Sequence, residues 1–487
     1  MRRMLWLWLG LAACTDAPSE PPAPVVEKAP NIIFISMDTT RADALSCYAD
    51  TNHWGLPMPA DARPSPQTPV LDGIADKGVR FRWALAHAPT TLSSHTSMLS
   101  GRDPHRHGVV RNGYAVSADV PMVTERLATA GQYDTIAVLG SSALERKMQM
   151  DRGFRRYVDP GPQPPGGMLM LPADEVTRRA LAEVDQRPSA DAPLFLFVHY
   201  YDPHMPWVFA PEALRQRFVP AGYTGFVDGT MESVGRLTAA RRQGVLRFGD
   251  ARAARGRYLA EVAWVDQQVG VLLAGLEARG VLEDTLIIVT SDHGETLDES
   301  ERHPYTHGPE ASLVALHVPL LMAGLGPRFA QMPSGVVVER PVRLMDLAST
   351  VSSVAGLGTV HGDGEDLQPI WSGRTSPATQ PSFAEATKPM SQESTTTWNN
   401  LPMERSVTVA GPQGALMLRL RPSEGGLASL HHLRPGAPAA SDVPDARARA
   451  TEMVGLLRQW DQASPPYRPA EYDKETEAAL KALGYLD

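Results

Sequence analysis

Between residues 89 and 102 the chain reads "PTTLSSHTSMLSGR". Thr90, Thr91, Ser93 and Ser94 crowd against His95, and Leu92, Thr96 and Leu99 recur at helical spacing. Thr90 or Thr91 therefore stands at a helix N-terminus. A hydroxyl there faces the positive end of the helix dipole and unpaired N–H groups, which favour both an alkoxide and a bound anion. Taken alone, capping by threonine and a nucleophilic threonine are both open.

Acids and imidazoles gather at other ends of apolar runs. Asp38 closes "NIIFISMD", Asp202 and His204 follow "PLFLFVHYY", and Asp292 and His293 close "TLIIVTSDH". In open α/β sheets, ligands bind outside the carboxyl ends of strands. Carboxylates and imidazoles from several strand ends then meet on one rim, a donor set that suits a divalent cation. A single aspartate in such a place is ordinarily an Asx turn or a helix cap. Recurrence at three ends favours the metal. A metal on that rim in turn favours a nucleophile over a cap, because it lowers the hydroxyl pKa.

The elements that must position these groups are legible as alternating patterns. Apolar runs at 31–38, 135–140, 193–204, 285–295 and 318–324 have strand length. Segments 68–79, 123–131 and 258–280 carry apolar residues at helical spacing and close on glycine. Alternation of this kind predicts an α/β fold whose sheet is covered on both faces. Farther on, "SVTVAG" and "GALMLRLR" read as a hairpin and "ARARATEMVGLLRQW" as a helix. The expected division is a catalytic domain at 31–378 and a small subdomain at 379–487.

The chain has 487 residues, of which 43% are apolar, enough for a large core. Its formal charge of −9 excludes a broad nucleic-acid footprint. "MRRM" and "LWLWLGLAA" read as a secretory leader over residues 1–13, and "LAAC" resembles the bacterial lipobox. Cys14 is then expected to carry lipid, and Pro/Ala-rich residues 14–30 to tether the domain to a Gram-negative outer membrane. Cys47 is left alone and reads as a buried small hydrophobe.

"NIIFISMDTTRADALSCY", "TPVLDGIADKGVRFRWALAHAPTTLSSHTSMLSGRDPHRHGV", "HYYDPHMPW", "IIVTSDHGE", "HVPLLMAG", "VRLMDLASTVSSVAGL" and "YDKETEAALKALGYLD" resemble, in order, the sulfatase family of the alkaline phosphatase superfamily. The resemblance implies an α/β sandwich around a large mixed sheet, with a smaller C-terminal α+β subdomain. It implies metal ligands at Asp38, Asp292 and His293, joined by Thr91, which stands at the nucleophile's position. It also implies that His204 and His307 face the substrate's anionic group and take part in catalysis. His95 occupies the place of an arginine on that same side.

Departures from the family pattern narrow the expectation. Thr91 cannot become formylglycine, and Ser93 and His95 replace the proline and arginine of the maturation motif. Thr39 replaces a second metal aspartate, and Ser141 and Ala143 replace a lysine and a histidine that hold sulfate. Such changes resemble the Thr-nucleophile branch, where His199, His204 and His307 would correspond to ligands of a second metal. With one carboxylate lost, zinc or manganese is favoured over calcium.

The expected function is metal-dependent cleavage of a sulfate or phosphate-type ester through Thr91. The alternatives are a phosphodiesterase or phosphoethanolamine-type transferase, and an inactive, surface-tethered binding module. The expected partners are a small-molecule, glycan or lipid anionic ester and, through lipid, a membrane.

Overall fold

Strand Asn31–Met37 (β1) runs through the middle of an eight-stranded sheet. The computed structural model describes residues 28–51, 64–161, 170–360, 362–371, 380–387, 402–411, 414–422, 426–433 and 445–463. The leader, Cys14, most of the tether, the boundary expected near residue 379 and the closing "YDKETEAALKALGYLD" lie outside them.

Two strands pair with β1 in parallel: Leu194–Tyr200 (β6) and Thr285–Thr290 (β7). Beyond β6 lie Asp134–Leu139 (β4) and Arg156–Val158 (β5), also parallel. Beyond β7 lie antiparallel Leu320–Leu325 (β9), then Val79–Phe81 (β2) and Val336–Val338 (β10). The sheet is thus mixed, in the order β10-β2-β9-β7-β1-β6-β4-β5. A three-stranded sheet joins Ala84–Leu85 (β3), His317–Val318 (β8) and Val342–Arg343 (β11).

Why the central strands are apolar throughout follows from their alternation. In β1, Ile32 and Phe34 enter one core, while Ile33, Ile35 and Met37 enter the other. Helices Pro69–Lys77, Ala173–Asp185 and Phe248–Glu277 cover the second face. Helices Thr91–Ser100, Val123–Thr129 and Asp346–Val354 cover the first. Each fully buried Ile or Phe contributes about 1.5–3 kcal/mol. Phe248–Glu277 starts some ten residues before the expected helix. It is long and apolar enough to cross a membrane, but 61% of its most apolar window is buried, so its apolarity serves the core.

The C-terminal hairpin extends to a four-stranded antiparallel sheet of Ser382–Thr387 (β12), Pro402–Gly411 (β13), Gly414–Arg421 (β14) and Leu427–Leu433 (β15). Helix Ala446–Gln462 packs on it through Met453, Leu457 and Trp460. Trp460 fastens the sheet to the rest: it stacks on His105 at 3.5 Å and donates Nε1–H to Asp103 Oδ2 at 2.9 Å. A second fastening is the N–H of Ala311, which donates to Glu404 Oε2 at 3.0 Å.

Candidate active site and metal centre

Parallel pairing brings the carboxyl ends of β1, β6 and β7 to one rim, with Ser36 level with His199 and Thr290. Asp38 leaves β1 there, and Asp292 and His293 leave β7. All three side chains are fully buried, and one donor atom from each lies within 4.8 Å of the others. Among the described residues, Asp38 Oδ1, Asp292 Oδ2 and His293 Nε2 have no hydrogen-bond partner. Buried polar atoms without partners cost free energy. Two oxygens and a nitrogen left in this way fit a divalent cation.

The trio's other atoms are fixed by the protein. Asp292 Oδ1 accepts the N–H of Thr39 at 3.1 Å and of His293 at 2.9 Å. Thr39 holds φ +50°, an unfavourable region for a β-branched residue. Gly294 has a steric reason: a Cβ there would lie 2.0 Å from the carbonyl oxygen of Val314. Asp38 is pushed well above the usual carboxylate range by burial and by the charge of Asp292. Asp292 is also disfavoured by burial, but neighbouring imidazoles, His293 first, bring it below its ordinary value.

Thr91 opens the helix Thr91–Ser100, with Thr90 at the extended N-cap position. Thr90 supplies no side-chain cap. Thr91 Oγ1 instead donates to Asp38 Oδ2 at 3.4 Å. The helix is buried along its whole length, and its hydroxyls are spent on carbonyl groups: Ser93 on Val109, Ser94 on Asp292, Thr96 on Leu92. Asn112, which the sequence did not single out, accepts the N–H of Leu92 at 2.7 Å and so fixes the helix start.

His95 departs from the expected substrate contact. It is fully buried, its Nε2 pairs with Ser36 Oγ at 2.9 Å and its Nδ1 with the Thr91 carbonyl at 2.8 Å. Burial holds its pKa down to about 3, so it is neutral and braces the helix from below.

The expected second metal set divides. His199 turns to Asp38, with Nε2 3.1 Å from Oδ2. His204 stacks on Tyr201 at 4.4 Å between ring centres and faces His307 at 4.8 Å. His307 also lies 4.7 Å from His293, ring to ring, with Nδ1 3.3 Å from Glu295 Oε2. Strand β6 separates the two directions, since His199 lies within it and His204 four residues beyond its end. Burial keeps both His199, at about 4, and His204 below the ordinary imidazole value. Asp202 likewise leaves the metal rim: its Oδ1 accepts the N–H of Ala173 at 2.9 Å, at the start of a helix. Ser141 Oγ accepts the N–H of Ala143 at 3.2 Å, a local cap rather than an anion contact.

The loop that carries His307 is held by a buried ionic lattice. Arg41, three residues past Asp38, grips Asp43 with two bonds of 2.8 Å and Glu299 at 2.6 Å. Arg255 reaches Asp298 at 2.5 Å and Glu299 at 3.0 Å. Burial opposes charge on Glu299, yet the two guanidiniums hold its pKa down to about 2. Only an arrangement of several charges makes such burial tolerable. Gly308 then passes over the helix start, where a Cβ would lie 3.8 Å from Thr90 Cγ2.

Residues 30–357 match the protein family described as Sulfatase. The chain is similar to the ulvan-active sulfatase of Formosa agariphila, 22% identical over 364 residues, covering 70% of this chain and 65% of that protein. It is also similar to human iduronate 2-sulfatase, 24% identical over 386 residues, covering 68% and 66%. The matched part thus spans just under two thirds of each relative's length. Among solved structures, BT4656 in complex with D-glucosamine-2-N,6-O-disulfate superposes with a TM-score of 0.68 at 19% identity, covering 92% of this chain and 100% of that one. The phosphonate monoester hydrolase from Silicibacter pomeroyi superposes with a TM-score of 0.62 at 20% identity, covering 91% and 100%. These likenesses concern the fold.

Proposed function

The chain belongs to the sulfatase family, and we propose on that premise that it hydrolyses an anionic sulfate or phosphate-type ester with Thr91 as nucleophile. One observation carries the reading. The Thr91 hydroxyl, at a helix start, touches the carboxylate that also belongs to a trio of partnerless buried donor atoms. A divalent cation held by Asp38, Asp292 and His293 would supply positive charge that lowers the hydroxyl pKa and neutralises the ester's oxygens. Zinc or manganese suits two carboxylates and an imidazole better than calcium does.

Thr91 gives its proton toward Asp38 Oδ2 as its oxygen attacks sulfur or phosphorus, and a Thr ester forms while the alcohol is expelled. His307, backed by the Glu295 carboxylate, is placed to return a proton to the departing oxygen. His204, whose Nδ1–H is given to the Met205 carbonyl, packs against the His307 ring and holds it at the rim. Water then cleaves the Thr ester, freeing the anion and restoring the hydroxyl.

Two curated relatives are named for sulfated-sugar chemistry, which favours a sulfated glycan as substrate. The side chain of Thr91 favours a second reading. It cannot pass through a formylglycine hydrate, whereas a phosphorylated threonine is a workable intermediate. Phosphodiesters or phosphonate monoesters should then be turned over faster than aryl sulfates. A panel of aryl sulfate, phosphate monoester, phosphodiester and phosphonate monoester, each run with zinc, manganese and calcium, separates these readings. Aryl sulfate as best substrate with calcium bound returns the chain to ordinary sulfatase chemistry. No turnover alongside intact cation binding leaves a binding module. We likewise propose that Cys14 carries lipid, and mass spectrometry of membrane-extracted protein tests it.

A further inference from the structure

The two oxygens of Asp38 are used differently. Oδ2 has two neighbours, Thr91 Oγ1 at 3.4 Å and His199 Nε2 at 3.1 Å. Oδ1 has none. A carboxylate rotates about its last bond, and a quarter-turn would aim neither oxygen at its partner. Something must fix the plane if one oxygen is to face Thr91 and the other a cation.

His199 is built to do so. It stands on β6, whose residue Tyr200 accepts the Asp38 N–H at 2.8 Å, so the two backbones are locked side by side. Its ring is fully buried and packs edge-on against His95 at 5.0 Å, with an interplanar angle of 90°. Tyr201 lies on another side at 6.2 Å. Among the described residues the ring makes its polar contact through Nε2 to Asp38, and Nδ1 has none. An imidazole this confined is an oriented donor with a single acceptor. We propose that His199 is a positioning residue: it dedicates Asp38 Oδ2 to Thr91 and leaves Oδ1 to the cation. The reverse pattern, a carboxylate orienting a ligating histidine, is a general device for tuning metal sites.

This rests on the cation reading above, and the test keeps the two apart. Zinc and manganese affinities are measured by calorimetry on the full-length chain, in wild type, His199→Phe and His199→Gln. Phenylalanine preserves the ring's packing and removes the donor, and glutamine retains an N–H. We expect Phe to weaken the cation about 10- to 100-fold and Gln to stay within about threefold, with unfolding temperatures of both close to wild type. A merely structural histidine would lower the unfolding temperature in both variants and leave cation affinity alone, which overturns the proposal. Equal loss of affinity in Phe and Gln overturns it as well. Spin-echo spectroscopy of wild type with manganese needs no variant. One coupled imidazole nitrogen, from His293, supports the proposal. A second shows that His199 is itself a ligand and overturns it. Wild type without any cation affinity refutes the cation reading and with it this proposal.

Discussion

Thr91 and Asp38 are 53 residues apart in sequence, and their side chains meet at 3.4 Å through a single oxygen, Oδ2. A helix start and a strand end are joined there, so both elements set the position of the Thr91 hydroxyl.

Removing the hydroxyl should remove the reaction. Thr91→Ala is expected to lower kcat by at least about 10³-fold, while cation affinity stays within a few-fold, because the trio stands on other elements. Thr91→Ser should retain measurable turnover and its unmodified mass, since Ser93 and His95 interrupt the formylglycine motif. Steady-state kinetics and intact-mass measurement decide both points; an undiminished Ala variant removes Thr91 from the mechanism.

Cation removal should be visible in stability. A ligand at 100 times its Kd adds about 2.7 kcal/mol, and roughly 2–4 °C accompanies each kcal/mol in a domain of moderate size. Chelated protein given manganese should therefore gain about 5–10 °C in Tm. Asp292→Asn should abolish that gain. An equal gain in the variant would place the cation elsewhere.

Asp202 gives the fold a pH dependence away from the reacting groups. Burial raises its carboxyl to about 7. A folded pKa above the unfolded one contributes stability that is complete below about pH 4 and is lost as pH rises through about 7. Urea unfolding at pH 5 and pH 8 should show wild type losing on the order of 1–3 kcal/mol more than Asp202→Asn over this interval. Glu261, also raised by burial, adds a loss of the same sign in both proteins. Parallel pH profiles would assign the dependence to other groups.

Trp460 should behave as the clasp of the C-terminal sheet. Trp460→Ala deletes its stacking on His105 and on Phe383 and removes the Nε1–H that Asp103 Oδ2 accepts. A loss of about 3–5 kcal/mol is expected, with limited proteolysis releasing a C-terminal fragment early. Trp460→Phe should cost less, since it keeps an aromatic face.

Much of this was readable beforehand, and for identifiable reasons. β1, β6 and β7 are buried on both faces, so their runs had to be apolar, and the polar residues just past them stood out. Asp38, Asp292 and His293 were visible in this way. His199 was picked out only through the resemblance, as a second-metal ligand; its turn to Asp38 depends on the register of the neighbouring strand. His95 was misread as a substrate contact, because nothing local reveals that Ser36 waits beneath it. Asp202 had the look of a ligand and proved to hold a helix start. Arg41 and Arg255 lie far in sequence from Asp298 and Glu299, and their lattice exists only once the loop has closed.

The bond from Ala311 to Glu404 ties the two sheets' fates together. Glu404 belongs to β13, and Ala311 stands four residues after His307. A chain ended before β12 would keep every atom of the cation trio and lose the strand that steadies the segment carrying His307. Cation retention and turnover should separate in such a truncation: the ion held, the chemistry lost.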